Sequence, residues 1–233
     1  MFTDSANQYI KNILTMMSGV FLSQVVLFLG SLLLTRIFSP DHFGIAAFYL
    51  SIANILTVAS TLRFEHSIIL PKNDCDSYDI MIITKRIVIV FSVIIFSLIL
   101  VLNDFLIDYL SKPELEGWLY FLPLIILLNA FFYIYRSWLV RIKKFKRISA
   151  GAIIKSIVLT IALIVGGYIY NNAVIFLIAN IVAQLIETIY LSSIIKKKEY
   201  DSINAKEKLK EYNNFPRYSL PADLINTYTS QNP

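Results

Sequence analysis

Uncharged stretches dominate the pattern of this chain. Asn12–Thr35 contains no Asp, Glu, Lys or Arg, and the same holds for His42–Leu62, Ile87–Asn103, Gly117–Tyr135 and Ser156–Ile186. A helix rises 1.5 Å per residue, so crossing ~30 Å of hydrocarbon takes roughly 20 residues. The last stretch is too long for one crossing and carries a turn signal, Asn171–Asn172, near its middle. The pattern predicts six spanning helices, over roughly 13–35, 42–62, 83–103, 117–140, 148–170 and 173–195. Barrel strands are excluded, because they run ~10 residues with alternating polarity. These stretches are longer and apolar on every side. A helix also satisfies its own backbone in lipid. The first stretch is no signal peptide: its apolar core is too long, and Thr35–Arg36 is not a small-residue cleavage site.

Composition agrees. The chain is 57% hydrophobic and 16% charged, against about 25% charged for soluble domains. Lys and Arg are unevenly placed: one alternating set of inter-span segments carries 17 of them, the other 2. Positive segments stay cytoplasmic. Both ends are therefore expected in the cytoplasm of a bacterial inner membrane, with short external loops. Asp104, Asp108, Glu114 and Glu116 fall in the third, external loop. Trp118, Tyr120, Trp138, Tyr168 and Tyr170 fall near span ends, where amphipathic rings prefer the headgroup level. The net charge of +5 thus reports topology, and no nucleic-acid partner is expected.

Enzymatic signatures are missing. Cys75 is the single cysteine. His42 and His66 fall near opposite faces of the membrane, so no metal site is expected. There is no Walker loop, no Gly-rich dinucleotide loop and no Ser-His-Asp constellation, and the chain is not expected to be an enzyme.

Polar residues inside spans are costly and usually face other helices or water. On the second span Ser51, Asn54, Thr61 and Glu65 fall in one arc of about 80°, at 100° per residue. On the fourth, Asn129, Tyr133 and Arg136 recur at i, i+4, i+7. On the sixth, Asn180, Gln184 and Glu187 do the same. Lys155 lies inside the fifth. One reading is a water-filled cavity lined by these stripes; the other is helix–helix hydrogen bonding, worth ~0.6 kcal/mol per contact. Lys155 and Glu187 could also form an ion pair, and Arg136 and Lys155 could snorkel to headgroups. Gly19, Ser23 and Gly30 form a small-residue ridge on the first span, suited to close helix packing.

Several strings together resemble a known family. "LLLTRIFSPDHFGIAAFYLSIANIL" (Leu32–Leu56), "LRFEHSIILPKND" (Leu62–Asp74), "YRSWLVRIKKFKRIS" (Tyr135–Ser149) and "YNNFPRYSLPADLINTYTSQNP" (Tyr212–Pro233) resemble, in order and spacing, the Wzx-type repeat-unit flippases. These belong to the multidrug/oligosaccharidyl-lipid/polysaccharide exporter superfamily. The resemblance implies an all-α membrane protein with a MATE-like fold of two six-helix lobes around a cavity. It implies translocation of undecaprenyl-pyrophosphate-linked oligosaccharide for surface polysaccharides such as O-antigen. The chain would then be an N-terminal half: a lobe over residues 1–198, then a cytoplasmic linker and the stub of a seventh span over 199–233. Ser202–Tyr212 is expected to form an amphipathic surface helix.

On that footing Arg63, Arg136 and Lys155 are candidates to meet the diphosphate. Glu65 and Glu187 would bind a coupling cation, H+ or Na+, or hold those cations in place. Asn129, Asn180 and Gln184 complete the cavity lining. Arg36 matches the family's Arg before the first loop; with Asp41 it is a candidate periplasmic gate or an interfacial anchor. No cofactor is expected. Expected partners are the lipid-linked oligosaccharide, membrane lipids, and a complementary C-terminal half or a polysaccharide polymerase. Three alternatives stand beside this reading: a multidrug exporter of the same superfamily, a non-transporting remnant, and an O-antigen polymerase or ligase. The last would need a larger external loop.

Overall fold

A computed structural model of the protein describes residues 2–110 and 117–195, together with Ala222 and Thr229. The described residues form helices and no strand: α1 Phe2–Ile37, α2 Pro40–Thr61, α3 Phe64–Ser67, α4 Asp74–Leu110, α5 Leu122–Arg141, α6 Phe145–Ile169 and α7 Val174–Ser193, with a 3-10 turn at Leu119–Phe121 before α5. Six segments are long and apolar enough to cross a membrane: Leu14–Ile37, Pro40–Thr61, Asp74–Leu102, Leu119–Arg141, Phe145–Ile169 and Val174–Ser193. The protein is an all-α, multi-pass membrane protein. Lys112, Glu114 and Glu116, the expected surface helix over 202–212, and the expected domain of 199–233 lie outside the described residues, apart from Ala222 and Thr229.

One boundary differs from the sequence expectation. The helix of the third span starts at Asp74, not near 83, and runs to Leu110. Lys85 and Arg86 are therefore helical rather than loop residues, and the segment from Asp104 to Leu110 is helical too. Asp74 and Asp76 occupy the first turn of α4, where carboxylates complement the helix dipole. Ile80, Met81 and Ile83 are buried on its early turns, which extends the helix well ahead of the uncharged stretch. The second span ends at Thr61, within a residue of the expected 62, so Glu65 lies beyond the helix on which the polar arc was drawn. Leu62 and Arg63 both take left-handed backbone angles, φ 48° and 60°, so α2 stops there and α3 starts in a new direction.

The chain divides into two compact units, one formed by Met1–Ala47 and Tyr135–Lys197, the other built on Phe48–Ile134. In the first unit α1 packs on α6, and α6 on α7. A methyl group added at Gly19 would overlap Ser149, one at Gly30 would overlap Thr160, and one at Gly167 would overlap Ile37 and Phe38. Each pair is offset by about 130 positions, so α1 and α6 run parallel and in register. The expected ridge of Gly19, Ser23 and Gly30 is the contact: Ser23 is buried, and the Ser149 hydroxyl donates to the Thr15 carbonyl at 3.0 Å. Small residues let backbones approach where no hydrophobic force favours helix over lipid.

The α6–α7 hairpin turns where Asn171–Asn172 predicts. The Asn171 amide donates to the Ile37 carbonyl at 2.8 Å, satisfying an end carbonyl of α1. The Val174 backbone N–H donates to the Asn172 side chain at 3.4 Å. At this end Phe38, Phe43 and Phe176 form an aromatic knot, with centroids 4.6 Å apart for Phe38–Phe176 and 4.8 Å for Phe43–Phe176. Leu34, Ala46 and Leu163 pack with it.

In the second unit α3 packs on α4. Tyr49 is fully buried, and its hydroxyl donates to the Trp118 carbonyl at 2.9 Å. The Thr57 and Thr84 hydroxyls donate to the Ala53 and Ile80 carbonyls one turn back, each at 2.7 Å. Such back-bonding hides a hydroxyl that lipid cannot solvate.

The α1–α6 seam predicts an asymmetry among the glycines. Gly19→Leu should destabilise the protein by about 1–3 kcal/mol through overpacking. Gly44→Ala, in a helix with nothing within 4 Å of the new methyl, should be neutral or stabilising by up to ~1 kcal/mol. Thermal unfolding in detergent checks both. Equal stability of Gly19→Leu and the native protein would contradict the seam.

Candidate functional site

The hairpin of α6 and α7 brings charged groups together inside the spanning segments. Gly151 makes this possible. Its missing side chain lets Leu191, Tyr190 and Glu187 come close, with Leu191 Cδ2 3.2 Å from where a Cβ would sit. One turn further along α6 is Lys155. On α7, Gln184 and Glu187 are three residues apart and so share a face. Lys155 Nζ lies 3.5 Å from Glu187 Oε2, and it donates to Gln184 Oε1. Lys155 stands ten residues into α6, roughly 15 Å along its axis.

Burial differs sharply across the pair. The Lys155 side chain keeps 32% of its exposure and Glu187 only 3%. Gln184 is also buried. Arg136, half-buried on α5, is near enough for its charge to act on the Glu187 carboxylate. The cluster is therefore an ion pair and an amide held by α6 and α7, with the Arg136 charge acting on it from α5. An isolated charge at a helix centre costs ~2.5–3.5 kcal/mol on insertion scales; Lys155 and Glu187 offset each other. Two buried atoms of the cluster, Gln184 Nε2 and Glu187 Oε2, have no hydrogen-bond partner. Toward the basic loop, Arg147 Nη1 lies 3.5 Å from the Tyr190 hydroxyl. Arg147, Gly151 and Lys155 thus mark one face of α6 at successive turns.

The remaining candidates fall elsewhere. Asn180 donates to the Phe176 carbonyl of its own helix at 2.9 Å, so its amide is engaged in back-bonding. Asn129 is half-buried on α5. Arg36 and Asp41 are both exposed, and no ion pair joins them among the described residues. Arg36 lies in the last turn of α1 and Asp41 in the first turn of α2, each on the side its helix dipole favours.

Arg63 and Glu65 belong to the second unit. Because α2 ends at Thr61, the helical arc drawn from Ser51 to Glu65 does not exist; Glu65 is placed by the turn instead. Arg63 Nη1 donates to Glu65 Oε1 at 3.3 Å and lies 3.4 Å from His66 Nε2. Glu65 is buried, and its Oε2 has no hydrogen-bond partner. His66 was not among the residues singled out from sequence. It joins this group only because left-handed angles at residues 62 and 63 fold the chain back, and neither glycine nor proline marks those positions. Among the described residues no group of three or more His, Cys, Asp or Glu side chains could hold a metal ion.

A multi-pass helical protein with a paired charge cluster inside its spans is the class these features define. The sequence matches the family model described as polysaccharide biosynthesis protein over residues 33–232. The chain belongs to that family, and its role lies in polysaccharide biosynthesis or transport. No curated protein and no solved structure matches it.

The pairing of Lys155 with Glu187 predicts non-additive mutational effects. Lys155→Met leaves a buried carboxylate without its partner and should cost about 3 kcal/mol or more. Lys155→Met combined with Glu187→Met should cost clearly less than the single change. A double-mutant cycle on thermal stability in detergent measures the difference. Additive losses would show that the two residues do not stabilise each other.

Proposed function

We propose that this chain moves undecaprenyl-pyrophosphate-linked oligosaccharide repeat units across the bacterial inner membrane, and that it acts as a transporter rather than an enzyme. Family membership and the Wzx-type resemblance support the substrate class. The observation that carries the reading is the cluster of Arg136, Lys155, Gln184 and Glu187 inside spanning helices. A sugar head on a diphosphate needs a hydrated and partly cationic path while its lipid tail stays in hydrocarbon. Arg136 and Lys155 supply positive charge inside the spans, whereas the other cations of α5 and α6, Arg141, Lys146 and Arg147, sit at the helix ends. A multidrug exporter for cationic compounds would gain nothing from two cations there.

In this reading both ends of the chain are cytoplasmic, following the distribution of Lys and Arg. The Arg141–Arg147 loop then lies at the cytoplasmic surface, and Lys155 is reached from that side. Arg63, with Glu65, is a further diphosphate candidate, and Glu65 and Glu187 hold cations in place or accept a coupling cation. Residues 1–198 are one lobe of a two-lobe transporter, rocking against a second lobe by alternating access. That second lobe, or a polysaccharide polymerase, is the proposed protein partner.

Two measurements test the reading. Reporter fusions at Lys144 should give a cytoplasmic signal and fusions near Asn172 a periplasmic one; the reverse pattern would overturn the orientation. In the native strain, replacing Arg136 and Lys155 together by Ala at the chromosomal locus should lower surface polysaccharide by about tenfold or more, the size expected for losing a charge-assisted contact. Lipid-linked repeat units should accumulate on the inner leaflet. Unchanged export would remove these cations from the transport path.

A further inference from the structure

The least explained atom of the cluster is Gln184 Nε2. Its side chain is 5% exposed, and the nitrogen has no hydrogen-bond partner. The amide cannot be flipped to relieve this. Lys155 has only donors, so the group facing it must be the amide oxygen, and that oxygen does accept from Lys155. The nitrogen shares a carbon with that oxygen and therefore lies beside the ammonium. Polar groups buried this deeply are nearly always paired. A buried, unpaired donor next to a cation, with Arg136 adding a second positive charge, is matched by an acceptor that carries negative charge. Glu187 does not fill the role: its Oε2 faces Lys155 at 3.5 Å and receives no hydrogen bond from the amide.

We propose that Gln184 is the specificity-determining donor of this site, its side-chain amide meeting a phosphoryl oxygen of the ligand that Lys155 and Arg136 attract. The inference rests on the flippase reading above and sharpens it: charge brings the diphosphate, and a neutral donor in fixed geometry tells it from other anionic lipids. Lys155 is held by Gln184 and Glu187 together, so the donor and the ammonium keep one spacing. A phosphodiester headgroup offers fewer terminal oxygens to that pair than a diphosphate does.

The phosphoryl oxygen could come from a lipid diphosphate or from a phospholipid headgroup, and the test separates them. The full chain is placed in phosphatidylcholine nanodiscs and titrated with undecaprenyl diphosphate in one arm and phosphatidylglycerol in the other. Gln184→Met keeps the length of the side chain and removes the amide. It should weaken undecaprenyl diphosphate binding by about tenfold or more and leave phosphatidylglycerol binding within about twofold. In the native chain labelled with 15N-glutamine, the Gln184 side-chain amide protons should shift downfield and exchange more slowly with water when undecaprenyl diphosphate is added. A residue that only holds Lys155 in place would leave those protons unchanged. That readout decides the matter if the variant fails to fold. Native affinity in Gln184→Met, or amide protons blind to the ligand, would overturn the inference; loss of binding in Arg136→Ala with Lys155→Ala would then still uphold the flippase reading. An equal loss for phosphatidylglycerol would overturn the selectivity. No binding of undecaprenyl diphosphate to the native chain would overturn both.

Discussion

Inside a spanning helix a polar side chain has no water to turn to, and most local features of this protein follow from that constraint. Hydroxyls return to the backbone of their own helix, as Ser23, Thr57, Ser60 and Thr188 do. Asn180 does the same with its amide. Groups that cannot be satisfied within one helix must reach another, and these set the tertiary contacts: Ser149 to the Thr15 carbonyl, and Lys155 to Gln184 and Glu187. Glycine then decides where such reaches are short enough, at Gly19 and Gly30 for one seam and at Gly151 for the other.

The charged groups at Glu65 and at Glu187 differ in kind. Arg63, Glu65 and His66 are neighbours in sequence, and their contacts close one tight turn. That turn is costly: a left-handed backbone at a residue such as Leu62 disfavours it by about 1–2 kcal/mol. Buried Phe64, Ser67 and Ile68 hold it in place. Arg136, Lys155 and Glu187 come from three helices, and nothing local forces them together. The second group therefore reports on the arrangement of helices, and a change in that arrangement would be felt there first.

Hydropathy made the six spans and the Asn171–Asn172 turn legible, because the cost of charge in lipid leaves long uncharged stretches. The ridge on α1 was legible too, since Gly19, Ser23 and Gly30 share a face at helical spacing. Its partner was not, because Ser149 and Thr160 look ordinary on a helix of small and apolar residues. The start of α4 was missed because Asp74–Ile83 mixes acids with buried apolar residues, which reads as a loop to any measure of hydrophobicity. Spacing on α7 placed Gln184 and Glu187 on one face, and the ion pair with Lys155 was one of the alternatives it left open. Spacing failed at Glu65 because it presumes an unbroken helix, and no residue type at 62 or 63 announces the break.

The parallel course of α1 and α6 bears on how the protein is made. Two neighbours that cross the membrane in the same direction cannot be joined by a hairpin, and here roughly a hundred residues separate the end of one from the start of the other, a length a ribosome needs about 5–20 seconds to synthesise. During that interval the glycine ridge of α1 has no α6 to meet. Lipid chains or the insertion machinery must cover it, so α1 waits in the membrane for a neighbour that is made much later.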